Sequence, residues 1–503
     1  MDRRKKFFKS GIMLTIVALS MRSVGMFFSA FVTRAVGAVG TGLYTIIMTV
    51  YSFAVTVATS GVSLTVTRLV SGAVGEGREG RIPEILRSAF LYALIFGAAS
   101  SVGLYILASP ISSVILQSPE CETPLKILSV SLLPIALGTV ITGYFVGIKR
   151  VGFNCAVQVS SQIARIILTV YLIMKVGQGD VYRSVSLLAL SATVSEIFAF
   201  IFSFAEYLLY KRQRIRRERV GLREIARETL PVAFSAYVRS SLLSLEHILI
   251  PRKLRERGEG AGEAYAHYGT LHGMALPVIL YPISPLSSFS SLLVPEFSED
   301  LSRGRFDRMS RIASEAINMT LVYSIFFSSF MLVFSEELGH TFYNSYDAGY
   351  YIYALSFVIP IMYLDHITDQ ILKGIGEQVY SMWVNITDSL LSVLLIVLLI
   401  PRIGIAGYAI AIVLMEGYNF VLSMIRLRKR IRIRVDFLSA VALPLICSLV
   451  AALISRSLFI FGSQESVLWI ILKGVFMLSA FVAMYSITNI IFKSRKKKRS
   501  YEY

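Results

Sequence analysis

Cysteine and tryptophan are scarce in this 503-residue chain, with three of the first and two of the second. Cys121, Cys155 and Cys447 are odd in number, and two lie in apolar runs, so no disulfide framework or zinc spacing is present. There is no P-loop, no glycine-rich nucleotide fold and no Ser/His/Asp pattern in a polar segment. ATP hydrolysis and catalysis by such a triad are therefore not expected, and no cofactor is implied. Charged residues make up only 16% of the chain. The net charge of +18 is spread between apolar runs rather than gathered on a polar domain, which argues against a nucleic-acid partner.

What is present is apolar sequence in long runs. The apolar fraction is 55% and the mean hydropathy +0.65, above the usual soluble range. A span needs roughly 20 mostly apolar residues to cross about 30 Å of hydrocarbon. Fourteen segments qualify: 11–33, 43–67, 86–108, 124–148, 153–175, 184–210, 229–250, 265–295, 310–334, 348–372, 378–400, 404–427, 436–456 and 466–492. The basic start at 3–9 resembles a signal peptide, but its apolar run continues past Arg22 to Phe31. That is too long for a signal core, so it is expected to be the uncleaved first span.

Charge parity supports the count. With both termini inside, 36 of the 50 lysines and arginines fall in the tails and cytoplasmic loops. The outer loops are all short, and 334–347 is acidic. A membrane enzyme acting on extracytoplasmic glycans usually needs a large outer segment, and none is present.

Sliding the sequence by 227 residues aligns Gly42 with Gly269, Ser60 with Ser287, Gly77-Arg78 with Gly304-Arg305 and Gly147-Ile148 with Gly374-Ile375. Phe153/Tyr380, Val157/Val384 and Gln158/Asn385 follow in the same register. The offset equals six spans, an even number, so the repeats run parallel, as in one class of transporters. The expected plan is an N-lobe at 1–210, a basic linker at 211–228, a C-lobe at 229–427, two further spans at 428–492 and a basic tail at 493–503. The fold class is all-α integral membrane. Substrate would sit between the lobes and gain access to each side in turn.

Residues 33–44 read TRAVGAVGTGLY: a helix end at Arg34, a glycine-rich turn, and a new helix start. This resembles polysaccharide flippases of the multidrug/oligosaccharidyl-lipid/polysaccharide exporter superfamily, and within it the stage V sporulation protein B branch. The resemblance implies two six-helix lobes forming a V. It implies flipping of an undecaprenyl-pyrophosphate-linked saccharide, lipid II or a wall or cortex precursor, across the bacterial cytoplasmic membrane by a protein that is not an enzyme. Other expectations are a monomer, contact with membrane lipids, and Na⁺ or H⁺ as coupling ion. The alternatives are a cation-coupled multidrug exporter of the same superfamily and a scaffold that recruits cell-wall synthases.

Ionisable groups inside spans are costly and usually face a cavity or a partner. Arg22 and Arg239 lie mid-span on the first helix of each repeat, and a guanidinium fork suits phosphate oxygens. Each can instead pair with a carboxylate or line a wet crevice. Arg34 and Arg68 sit at span ends, where a snorkelling charge is the simpler reading, and Arg165 lies deeper. Cavity arginines on the first span are also what the resemblance implies, which favours Arg22. For coupling, Glu246, Asp388 and Glu416 lie in later spans, with Asn385 one turn before Asp388. The resemblance implies a sodium site among spans 7, 11 and 12, although the spacing here departs from that pattern. Asp365 and Asp369 share a face of span 10 beside His366, as in a proton relay, and lack an evident third metal ligand. Prolines at 277, 282, 285 and 295 predict a kinked eighth span bordering the cavity.

Overall fold

The computed structural model describes residues 2–59, 61–148, 150–176, 180–210, 222–458 and 467–499. Ser60, Lys149 and the basic stretch 211–221, all used in the sequence reading, lie outside them. The described elements are all helical. In chain order they are α1 (Asp2–Thr59), α2 (Val62–Gly75), α3 (Ile82–Pro110), α4 (Glu122–Ser129), α5 (Leu132–Gly147), α6 (Val151–Val176), α7 (Val181–Tyr210), α8 (Leu222–Glu256) and α9 (Ala261–Tyr268). Then follow α10 (Leu276–Leu280), α11 (Ile283–Ser302), α12 (Phe306–Tyr343), α13 (Tyr346–Ser356), α14 (Ile359–Gly374), α15 (Gln378–Ile403), α16 (Ile405–Arg430), α17 (Leu443–Leu458) and α18 (Val467–Arg499).

Among the described residues, nine helical stretches are long and apolar enough to cross a membrane, and eleven if two bent pairs each count as one span. This is a multi-pass membrane protein. The described residues of the fourteen expected segments lie mostly on helices, but length and composition do not establish that number. The stretch Ser20–Val74 counts once, although Gly37 (φ 71°) and Gly61 (φ 78°) interrupt it. The eighth expected span is broken into α9, a π-helical turn at Gly269–Ala275, α10 and α11, with a turn at Tyr281–Pro282. Its predicted kink is therefore present, and the cause is proline, which cannot donate to the helical ladder. Helix α8 is diluted by Arg239, Glu246, His247 and several serines.

The surface is apolar because lipid replaces water around the spans. Ile106, Leu209, Phe234 and Ile490 are exposed, whereas Ser131, Ser191, Ser324 and Ser448 are buried. Small hydroxyl side chains let helices approach and can return their proton to the helix itself. Thr41, Thr45 and Thr49 do so, each bonding the carbonyl four residues back at 2.8, 2.7 and 3.0 Å.

Packing divides the chain into two compact units, one of residues 35–269 and one of residues 1–34 with 270–503. In the first, α2, α3 and α5 enclose Val62, Val66, Val70, Leu86, Val140 and Tyr144. Gly147 allows the contact, since a Cβ there would lie 2.8 Å from the Val70 side chain. In the second unit, a Cβ on Gly374 would lie 2.8 Å from the Phe297 side chain. These two contacts are related by the 227-residue offset at both ends.

The offset recurs throughout. Helix α5 shifted by 227 gives the bounds of α14, and α6 gives those of α15. Gly77 (φ 69°) and Gly304 (φ 65°) both end a helix in the left-handed region, where glycine meets no Cβ penalty. Their N–H groups donate to Val74 and Leu301 O, which are again repeat equivalents. The bend between α4 and α5 (41°) recurs between α13 and α14 (61°).

Candidate functional site

Arg22 lies on α1, ahead of the Gly37 break, with an exposed side chain. Its Nη2 donates to the Leu280 carbonyl at 2.9 Å. The turn after α10 frees that carbonyl from the helical ladder. Beside it, the Ser23 and Tyr281 hydroxyls are 2.5 Å apart. Arg22, Met26, Ser29, His272, Pro277 and Tyr281 border a cavity of about 410 Å³ within the second unit. The proline-broken eighth segment and Arg22 thus meet at one cavity. The guanidinium has one carbonyl partner there, and its remaining donors suit an anion.

The other arginines are placed differently. Arg34 donates from Nε to the Phe342 carbonyl at 3.0 Å and from Nη2 to the Thr341 carbonyl. Those carbonyls close α12, so Arg34 caps a helix C-terminus, where a cation is favoured by the helix dipole. Arg165 on α6 donates to the Tyr44 hydroxyl at 2.6 Å and lies within electrostatic range of Glu196 and Tyr51. Arg239 is exposed on α8, in the first unit, whereas Arg22 belongs to the second.

The acidic candidates fall into two groups. Glu246 is half-buried on α8 in the first unit, near fully buried Tyr268. Asp365 on α14, Asp388 on α15 and Glu416 on α16 come together in the second unit, with Asp365 and Asp388 both within electrostatic range of Glu416. Asn419 and Ser423, on the α16 face that carries Glu416, lie beside Asp388 and Asp365. One oxygen each of Asp365, Asp388 and Asn419 is buried without a hydrogen-bond partner. Asp369 is drawn off by Lys373, 2.5 Å away, and by the Ser381 hydroxyl. Asn385 donates to the Ser381 carbonyl at 2.8 Å.

The sequence reading placed Asp365 apart from Asp388 and Glu416, and it missed Asn419 and Ser423. A signal was available in the spacing 416, 419, 423, which repeats one face of a helix. Three carboxylates within electrostatic range of one another in a low-dielectric surround repel when ionised, and a proton or hard cation relieves that repulsion. The oxygen donors are chemically suited to a small cation. Among the described residues, however, no group of three or more His, Cys, Asp or Glu side chains is arranged to hold a metal ion.

Sequence reasoning also missed two ionic ties. Glu377, at the start of α15, accepts from Arg426 at 2.8 and 3.0 Å and from Arg430 at 2.6 Å. Lys473 on α18 is buried against Glu337 of α12 at 2.6 Å.

The family model for polysaccharide biosynthesis proteins matches residues 7–300, more than half of the chain. The chain belongs to that family. A second model, MatE, matches residues 271–398. Stage V sporulation protein B of Bacillus subtilis (strain 168) is 23% identical over 98% of this chain and 97% of its own length. Among solved structures, the lipid II flippase MurJ in its inward closed conformation superposes with a TM-score of 0.74 at 14% identity, over 96% of this chain and 99% of that one. An inward-facing multidrug resistance MATE transporter of the MOP superfamily gives 0.68 at 16% identity, over 83% and 98%. The fold is therefore that of MurJ and the MATE transporters.

Proposed function

We propose that this protein is an alternating-access flippase of a lipid-linked saccharide, an undecaprenyl-pyrophosphate carrier of lipid II or of a wall or cortex precursor, in the bacterial cytoplasmic membrane. The observation that carries this reading is membership of the polysaccharide biosynthesis family, through a match covering residues 7–300. The cavity at Arg22 supports it, because a guanidinium keeps its charge when desolvated and can hold a pyrophosphate oxygen. In this reading Arg22 and Arg239 bind the cargo, both termini are cytoplasmic, and the repeats act as lobes at 1–210 and 229–427 with the spans of 428–492 appended. The protein works as a monomer, and cell-wall synthases receive its product.

Coupling is assigned to Asp365, Asp388 and Glu416. The carried ion is a proton or Na⁺, since either relieves the repulsion among these carboxylates. A cation-coupled multidrug exporter is the second reading, favoured by the MatE match over residues 271–398.

The test is transfer of labelled lipid II between leaflets of proteoliposomes, with a panel of lipid-linked donors and a cationic drug alongside. The reading expects lipid II or a related donor to move, and Arg22→Ala to slow it at least ~10-fold, about 1.4 kcal/mol. Drug efflux without lipid transfer would transfer the assignment to the second reading.

A further inference from the structure

Helix α13 has two unlike faces. Ala348, Gly349 and Ile352 are buried, and a Cβ on Gly349 would lie 2.9 Å from Glu336 Cα, so this side rests directly on α12. The Ala348 N–H donates to the Ser345 hydroxyl at 3.2 Å and fixes the first turn. The other side carries Tyr346, Tyr350, Tyr353 and Phe357, which are 64, 67, 45 and 58% exposed. Intervals of four, three and four residues keep these rings on one side of the helix. Neighbouring rings brace them edge to face, Tyr350 against Tyr351 at 5.6 Å and Tyr353 against Phe357 at 5.8 Å. Polar Asn344 and Asp347 are exposed at the start of the row.

The fold does not require this row. The bend after α13 recurs after α4, yet the positions 227 residues earlier hold Pro119, Thr123, Lys126 and Val130. An aromatic belt at the membrane surface does not account for it either. From Tyr346 to Phe357 the row runs about 16 Å along the axis. The interfacial layer is only roughly 5–7 Å deep on each side. Helices α13 and α14 together make one bent span, so the row starts at a span end and reaches the bend in its middle. A packed partner helix would select small side chains that let backbones approach, and this face has four bulky rings instead.

Flat π-faces in a row, three of them edged by a hydroxyl, with a carboxylate and an amide alongside, are the chemistry of saccharide recognition. The C–H groups on one side of a pyranose carry partial positive charge and stack on the negative face of an aromatic ring. Sugar hydroxyl and acetamido groups can then bond the tyrosine hydroxyls, Asp347 and Asn344. Successive rings are about 6, 4.5 and 6 Å apart along the axis, each step close to the length of one pyranose unit.

We infer that the Tyr346–Phe357 face of α13 is a saccharide-binding surface, with Tyr346, Tyr350 and Tyr353 stacking successive pyranose rings. The inference deepens the flippase reading and rests on it for the surface's place in transport. There it engages the glycan of the cargo, the part that Arg22 does not, and so selects among lipid-linked donors.

The test is saturation-transfer NMR on the full-length protein in lipid nanodiscs, with N-acetylchitobiose as the probe. Sugar-headed detergents are left out because they compete. Pyranose ring protons of the probe should receive saturation from the wild type. Y346L/Y350L/Y353L keeps apolar bulk but removes the π-faces, and should lower that signal at least ~5-fold. Y346F/Y350F/Y353F keeps the faces and should retain most of it. Tyr350→Leu alone serves where the triple variant fails to fold. No saturation in the wild type, or equal saturation in the leucine and phenylalanine variants, overturns the inference. Lipid II transfer is followed alongside in proteoliposomes. Transfer without saccharide contact at α13 overturns this surface and leaves the flippase reading standing, whereas contact without transfer of any lipid-linked donor does the reverse.

Discussion

Gly42 and Gly269, equivalent positions in the 227-residue repeat, pack backbone against backbone. A Cβ on Gly269 would lie 2.6 Å from Gly42 N and 2.9 Å from its Cα, and a Cβ on Gly42 would lie 1.9 Å from the Tyr265 carbonyl oxygen. No real Cβ fits at those distances, so the main chains set the spacing and only glycine permits it. The contact lies within the 35–269 unit and joins α1 to the π-helical start of the broken eighth segment.

Substituting either glycine should therefore unfold this contact locally. Gly42→Val is expected to cost about 3 kcal/mol, at the upper end of overpacking effects, and to lower the unfolding midpoint in detergent. Gly72→Ala and Gly103→Ala are the controls, because a Cβ at each meets open space. Their midpoints should stay at or slightly above that of the parent.

Glu377 makes a pH-dependent contribution. Burial pushes its carboxyl up, but hydrogen bonds and charge from Arg426 and Arg430 outweigh this and hold it below the ordinary glutamate value. A depressed folded value means the stabilisation is present above the unfolded value of about 4.3 and is lost as pH falls through the folded one. Glu377→Gln should therefore be less stable than the parent at pH 7. The two should converge when stability is followed below about pH 4.

The carboxylates Asp365, Asp388 and Glu416 should act as a unit in transport. Neutralising any one, as in Asp388→Asn or Glu416→Gln, is expected to reduce gradient-driven transfer at least ~10-fold, about 1.4 kcal/mol, with little change in unfolding midpoint. Transfer measured under separate proton and sodium gradients checks this. If the variants keep both the parent rate and its ion dependence, the cluster is a helix-packing element only.

Buried Lys473 and half-buried Glu337 form a pair whose halves are unequal alone and balanced together. Lys473→Met leaves a carboxylate without its cation and should cost about 3–5 kcal/mol. The double variant Lys473→Met, Glu337→Leu should recover most of that loss, because two apolar side chains carry no desolvation penalty. A double-mutant cycle on thermal unfolding is the measurement.

Much of the molecule was legible one-dimensionally because hydropathy and backbone chemistry are local. Apolar runs marked the helices. Prolines 277 and 282 marked the breaks in the eighth segment. Glycines 77 and 304 marked matching helix ends, since their left-handed conformation is a property of one residue. Helices α8 and α9–α11 carry so many polar residues that composition alone does not identify them as spans.

Partners of ionisable side chains are a different kind of fact. From sequence, Arg22 lies mid-span and Arg34 at a span end, and neither position names a partner. Only packing places Arg34 on the terminal carbonyls of α12 and Arg22 at a cavity. Asp365 belongs with Asp388 and Glu416 because α14, α15 and α16 pack side by side, across separations that periodicity cannot span. The sequence by itself thus determined a helical membrane chain with a 227-residue repeat, since burial in lipid and helix termination depend on each segment alone. Which charges face a cavity, cap a helix or share a site was decided by tertiary structure, because a guanidinium or carboxylate takes its role from whatever the fold brings within hydrogen-bond reach.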